Sequence, residues 1–388
     1  MKFGRQCNIL ESNSFFLFGA RGTGKSTLIQ QRLSGKGLLT IDLLHLEVAD
    51  KYLRNPDKLY DELRLNSDIK WVVLDEIQKV PALLDVVHRT LETREFSPPK
   101  FAISGSSARK LKHGNANLLA GRAFLNYLYP LTHQELGEDF DLNVILNWGS
   151  LPKIFGLNTA DERREYLRSY GLVYLSEEVW AEHLVQKLEP FRHFLEVAAQ
   201  MNGQLLQYAN IAKDVGVDDK TIKKYFEILE DTHMGFLLYP YHRSIRKRQL
   251  QSPKFYFFDL GVVRSLARTL SFDIMPKTTL FGDAFEHFVI SEIHRLSHYK
   301  RTDFRLSYIR TKDDAEIDLI IERPGRSVAL VEIKSKDIVS SDDSKHLRAF
   351  ASDFKNSELF VLSNDPTNHL KDNVHYYHWQ EGLKRIGL

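Results

Sequence analysis

Gly19-Ala20-Arg21-Gly22-Thr23-Gly24-Lys25-Ser26 has the spacing G-x-x-x-x-G-K-[ST]. Glycines at these intervals let backbone N–H groups curl around an anion at the positive end of the helix that follows. In such a loop Lys25 reaches the outer phosphates of a nucleoside triphosphate and the Ser26 hydroxyl ligates Mg²⁺. Gly19, Gly22, Thr23, Gly24 and Thr27 complete the cradle. Further along, WVVLDE ends in Asp75-Glu76. Asp75 at a strand end is placed to hold the same Mg²⁺ through Ser26, and Glu76 beside it to polarise an attacking water. KFAISGS then offers Ser104 or Ser106 to position that water. Arg109 and Arg122 are candidates to neutralise charge on the transferred phosphate, a role that a neighbouring subunit can also fill.

A second constellation lies in AEIDLIIERPGRSVALVEIKSK. Pro324-Gly325 is a turn signal between two β-rich runs, and a hairpin centred on Gly325 sets Asp318 opposite Glu332. Directly opposed residues share a face, and Lys334, two residues from Glu332, shares it too. Two carboxylates on one buried face need a compensating cation, so Asp318 and Glu332 are candidate ligands of a divalent metal, with Lys334 beside it. Glu286, in the helical stretch GDAFEHFV, is a candidate third acid.

A third feature is basic. In DDKTIKKYFEILED an Asp at 218 or 219 caps a helix, and Ile222, Phe226 and Leu229 fall on one apolar face. Lys220, Lys223 and Lys224 lie off that face near the leading end, where a recognition helix meets a DNA groove. The acid-free stretch that follows, with Arg243, Arg246, Lys247, Arg248 and Lys254, has the composition of a phosphate-lining wing or linker.

These residues require particular elements around them. SFFLF before the glycine loop and STLIQQRL after it predict strand, loop and helix. GLLTIDLL, WVVLDE, KFAISGS and AFLNYLYPL, separated by stretches such as LLDVVHRTLETR, predict a mostly parallel sheet covered by helices. Residues 1–135 read as this core and residues 136–192 as a helical lid. Residues 193–254 read as a winged helix-turn-helix with a basic linker at 242–254. Residues 255–388 read as a second α/β domain, with FYFFD, a helix, and strands FRLSYIR, EIDLIIE, VALVEIK and ELFVLS.

Taken in order, FLFGARGTGKS, VVLDEIQKVPALLDVV, AISGSSARKLK, NLLAGRA, YLYPLTHQELG, GSLPKIF, FGDAFEHFV, EIDLII and VEIKSK resemble the bacterial and archaeal AAA+-like P-loop ATPases fused to a C-terminal PD-(D/E)XK nuclease-like domain. The resemblance runs over nearly the whole chain. It implies ATP and Mg²⁺ as cofactors, with Lys25, Asp75 and Glu76 serving ATP and the C-terminal acids serving metal. It also implies a function linked to nucleic acid. The expectation is an ATP-hydrolysing protein that engages nucleic acid, DNA before RNA, through the winged helix and cleaves it at the C-terminal site. The alternative is an ATP-dependent regulatory or interaction protein whose C-terminal domain is catalytically silent. A homo-oligomer fits either.

Composition narrows the classes further. The chain has 388 residues, 43% hydrophobic, enough for more than one core and unlike a disordered chain. Its formal charge of +2 leaves attraction to nucleic acid to local patches rather than to bulk charge. Cys7 is the sole cysteine, which excludes an intramolecular disulfide or a Cys-rich zinc site and fits a reducing, cytoplasmic compartment. Neither a signal peptide nor a membrane-spanning apolar run is expected.

Overall fold

Strands that are apolar at successive positions belong in a parallel sheet covered on both faces. In the computed structural model this holds for β1 (Ser14–Phe18) and β3 (Trp71–Asp75), buried at every position. The structure describes residues 3–106, 119, 121–171, 185, 187–242, 252–311, 315–354 and 356–388. The chain divides into two compact units. One comprises Met1–Leu131, Leu151–Lys153 and Ile228–Met234; the other comprises Thr132–Ser150, Ile154–Glu227 and Gly235–Leu388. No helix among the described residues is long and apolar enough to cross a membrane.

In the first unit β1 and β3 join β2 (Leu38–Asp42), β4 (Lys100–Gly105) and β5 (Ala123–Tyr127) in a sheet ordered β2-β3-β4-β1-β5, parallel throughout. The helix Leu83–Glu92 shows how the covering layer forms. Leu83, Val86, Val87 and Thr90 are buried at helical spacing, and the first three join Phe18, Leu74, Ile77 and Phe101 in one core. Because all five strands run the same way, the ends of β1, β3 and β4 open on one edge, where ligands of such sheets bind.

The second unit contains helices Leu142–Trp148, Ala160–Ser169, Leu188–Gln200 and Tyr208–Val215. The helix Asp219–Asp231 follows. Its Ile222, Phe226 and Leu229 are buried and its Lys220, Lys223 and Lys224 exposed. Asp218 supplies the cap, accepting from the Thr221 N–H at 2.8 Å. That hydrogen bond and the Thr221 hydroxyl hold the Asp218 carboxyl below its usual range.

Next come two antiparallel strands, β6 (Gly235–Leu238) and β7 (Lys254–Phe257). Two expectations need correction here. β7 crosses the boundary expected at 254/255, so Phe255, Tyr256 and Phe257 pair with β6 rather than with the C-terminal strands. The reason lies in packing, since Phe255 is fully buried against Phe226, with ring centroids 5.1 Å apart. Lys254 is not a solvent-facing phosphate contact; it is 5% exposed. Arg109, Arg243, Arg246, Lys247 and Arg248 lie outside the described residues.

A six-stranded mixed sheet completes this unit. It contains β8 (Arg305–Arg310), β9 (Glu316–Glu322), β10 (Ala329–Lys334), β11 (Glu358–Ser363), β12 (His369–Lys371) and β13 (Val374–His378), ordered β12-β13-β11-β10-β9-β8. β9 and β10 form the expected hairpin. Ile321 faces Ala329, Ile320 faces Leu330 and Leu319 faces Val331, the register that Gly325 at its centre predicts. Gly325 has φ +72°, a backbone conformation that a turn gains at no steric cost only from glycine. The helix Thr279–Lys300, which carries Glu286, packs against β10.

Candidate active sites

Gly19 opens the phosphate loop at the end of β1. A Cβ there would collide with the Leu128 carbonyl, which continues β5, so only glycine lets the loop leave the sheet at this point. The loop closes at Gly24, with φ +94°, which caps the helix Lys25–Leu33 without a side-chain hydrogen bond. Lys25 is buried and its ammonium donates to the Gly19 and Ala20 carbonyls at 2.9 and 3.3 Å. The buried Thr23 hydroxyl donates to the Ala20 carbonyl at 2.9 Å. Ser26 and Thr27 face solvent on the first helical turn.

Arg5 is a further part of this loop, one that no motif marks. Its guanidinium donates to the Thr23 carbonyl at 2.6 Å and to the Tyr129 carbonyl at 2.5 Å, bridging the loop to the end of β5.

The ends of β3 and β4 supply the acids and their partners. Asp75 is buried and accepts from the Ser104 hydroxyl. Glu76 sits in the left-handed region, φ 59° and ψ 49°, a costly conformation for a residue with a Cβ and one that concentrates at functional sites. Its carboxylate accepts from the Gln78 amide, which also donates to the Ser106 hydroxyl at 3.0 Å. Ser104 therefore holds Asp75, while Gln78 links Ser106 to Glu76. Arg122 pairs with Glu92 at 2.6 Å. It precedes Ala123, which faces Ser14 at the start of β1, so it lies at the opposite end of the strands from the loop after Phe18.

The comparisons with known proteins accord with this geometry. Residues 11–137 match the family model described as the AAA domain. The parallel five-stranded sheet and the glycine loop at the end of β1 belong to this matched region. Beyond the AAA region, residues 139–273 and 281–381 match two domains of unknown function, DUF8612 and DUF4143. An uncharacterized protein of Mycobacterium tuberculosis is 28% identical over 348 residues, covering 89% of this chain and 75% of the relative. One from Methanocaldococcus jannaschii is 24% identical over 375 residues, covering 84% of this chain and 77% of the relative. Among solved structures, the Thermotoga maritima RuvB Holliday junction branch migration motor matches at TM-score 0.32 and 17% identity. It covers 63% of this chain and 84% of that one. The Aeropyrum pernix ORC1 protein in complex with DNA matches at 0.28 and 13%, covering 67% and 87%. Structural similarity this low lends nothing to a functional reading, which rests on the residues themselves.

Outside the AAA region, the second unit brings Glu286, Asp318, Glu332 and Lys334 to one cleft of about 670 Å³. Lys254, Arg310, Glu316 and His346 line it as well, and the turn and helix around Gln204, Gln207 and Asn210 form another part of its wall. Asp318 accepts from the Ile333 N–H at 2.7 Å, and Lys334 donates to Glu332 Oε1 at 2.6 Å. Glu332 Oε2 is buried with no hydrogen-bond partner. Lys254 Nζ lies 2.5 Å from Glu316 and 3.5 Å from Glu286, and the Tyr256 hydroxyl donates to Glu286 at 2.8 Å. Sequence reasoning missed Lys254 and Glu316 in this role. The pairing of β7 with β6 is what brings Lys254 here, and no local pattern encodes it.

The electrostatics follow from crowding. Burial, then Glu332 and Glu286, hold the Asp318 carboxyl well above its usual range. Burial also raises Glu332, against the pull of Lys334. Burial opposes the charge on Lys254, but Glu286 and Glu316 outweigh it and keep the ammonium protonated above the ordinary lysine value. Among the described residues no group of three His, Cys, Asp or Glu side chains is placed to hold a metal ion. The donor set fits a cation held by Asp318 and Glu332 alone, and the orphaned Glu332 Oε2 is the observation that calls for it.

The raised Asp318 has a consequence for stability. An acid that keeps its proton longer in the folded state than in the unfolded one costs nothing below the unfolded value and progressively more as pH rises to the folded value. Asp318→Asn is therefore expected to raise Tm at pH 8 in EDTA, with the gain vanishing near pH 4. Melting curves of both proteins across that range check it; an equal gain at both pH values would remove the carboxyl proton from the explanation.

Proposed function

We propose that this protein is an ATP-hydrolysing nucleic-acid enzyme. Its AAA region binds and turns over Mg²⁺-ATP, and its C-terminal cleft is a metal-dependent phosphodiesterase. The observation that carries the second half is the convergence of Asp318, Glu332, Lys334 and Glu286 from three separate elements on one cleft. A divalent cation on Asp318 and Glu332 would supply Lewis-acid polarisation of a phosphoryl oxygen and an activated water. Lys334 is placed to stabilise charge developing on the phosphate and to help orient the nucleophile. Glu286, tied to Tyr256 and Lys254, serves as an accessory acid. In the AAA region Lys25 would exchange its loop carbonyls for phosphate oxygens, Ser26 and Asp75 would hold the Mg²⁺, and Glu76 would orient the water. Arg122 lies too far along the sheet for its own loop, so a charge-stabilising role falls to it only across a subunit boundary in a homo-oligomer.

DNA is the preferred partner, engaged through the exposed Lys220, Lys223 and Lys224. Replacing all three with alanine is expected to lower the slope of log affinity against log salt by up to about three units, roughly one per lost phosphate contact. Fluorescence anisotropy at several salt concentrations measures it. An unchanged slope would assign the three-helix segment to protein binding.

The test of the whole reading is cleavage of single-stranded, duplex and branched DNA and of RNA with Mg²⁺ or Mn²⁺, with and without ATP. A regulatory protein with a silent C-terminal domain is the second reading. The absence of a three-ligand metal group among the described residues favours it, and failure to cleave every substrate would select it.

A further inference from the structure

The carboxylate cleft contains two lysines of different origin. Lys334 belongs to the strand that carries Glu332, whereas Lys254 enters from β7, a strand of the separate two-stranded sheet. Glu286, Glu316, Asp318 and Glu332 divide between them. Glu286 and Glu316 are engaged by Lys254, and Tyr256 takes a further share of Glu286. Glu332 gives one oxygen to Lys334 and leaves the other buried and unpartnered, in a residue only 6% exposed. Asp318 gives one oxygen to the Ile333 N–H.

An ammonium surrounded by carboxylate oxygens fills the same role as a small hard cation, with N–H donors in place of coordination bonds. Resting on the proposed phosphodiesterase reading, we propose that Lys254 is a built-in substitute for a second metal ion, so that the cleft takes one divalent cation, between Asp318 and Glu332, and no more.

Charge supports the count. Five carboxylates line the cleft, Asp214 as well as Glu286, Glu316, Asp318 and Glu332, and they face Lys254, Lys334 and Arg310, which leaves two negative charges. They are best placed at Asp318 and Glu332, because Glu286 lies on Lys254, Glu316 lies on Lys254 and Arg310, and Asp214 is exposed to solvent. One divalent cation brings the cleft to neutrality, so a phosphodiester substrate meets no net repulsion. A second would leave the cleft with two positive charges, the Lys254 ammonium among the groups that repel it.

The experiment counts Mn²⁺ by electron paramagnetic resonance on the full chain without nucleotide, in a Ser26→Ala background that silences the phosphate loop. The parent is expected to bind one Mn²⁺ per chain with an uncoupled six-line spectrum. Lys254→Gln, which keeps a polar side chain one atom shorter and removes the charge, is expected to bind two with spin coupling between them. Lys254→Arg should bind one, and adding Glu316→Gln to Lys254→Gln should return the count to one. Circular dichroism confirms that each variant is folded. Two Mn²⁺ in the parent, a result that depends on no variant, or one in folded Lys254→Gln overturns the assignment of Lys254 while leaving the metal site standing. No Mn²⁺ in the parent overturns the phosphodiesterase reading itself.

Discussion

Glu76→Gln is expected to bind ATP as the parent does and to lose about 10²- to 10⁴-fold in turnover, the range that a positioned general base contributes. The substitution keeps the size of the side chain and its place in the left-handed backbone position, so it removes the proton acceptor and little else. It also alters the hydrogen bond from Gln78, which makes the binding measurement an essential companion to the rate. Lys25→Ala should behave differently. The ammonium that now satisfies the Gly19 and Ala20 carbonyls is the group proposed to meet the phosphates, so nucleotide binding itself should be lost. Titration with a fluorescent ATP analogue, together with steady-state phosphate release, separates the two outcomes. Equal turnover in parent and Glu76→Gln would take Glu76 out of the mechanism.

The second large effect belongs to the cleft. Asp318→Ala and Lys334→Ala are each expected to reduce metal-dependent cleavage by about 10²- to 10³-fold, the usual cost of deleting one group that stabilises developing charge. The two should differ in metal dependence. Asp318→Ala removes half of the proposed cation site and should raise the Mn²⁺ concentration needed for half-maximal rate. Lys334→Ala leaves the two carboxylates in place and should lower the maximal rate while leaving that concentration nearly unchanged. Cleavage that persists at the parent rate in both variants would place the activity elsewhere.

Much of this molecule is written locally in its sequence. A phosphate loop needs glycines at fixed positions because backbone amides must approach an anion closely, and that requirement can be read without coordinates. β1, β3 and β4 were legible as short, largely apolar runs, since strands buried on both faces are apolar at successive positions. The register of the hairpin that carries Asp318 and Glu332 was legible too. Pro324-Gly325 fixes the centre of the hairpin, and a two-residue period then assigns every face.

Tertiary structure alone decided the rest, for reasons of range. Arg5 reaches Tyr129 across most of the AAA sheet's sequence, and nothing around Arg5 in the chain announces a partner so distant. Which serine holds Asp75 depended on the parallel register of β3 against β4. Lys254 was the largest change. Its neighbours in sequence are basic and suggest a solvated linker, but Phe255 and Phe257 bury their rings and pull β7 into a pair with β6. An ammonium carried to the edge of that pair could remain charged only among carboxylates, and Glu316 and Glu286 meet it there.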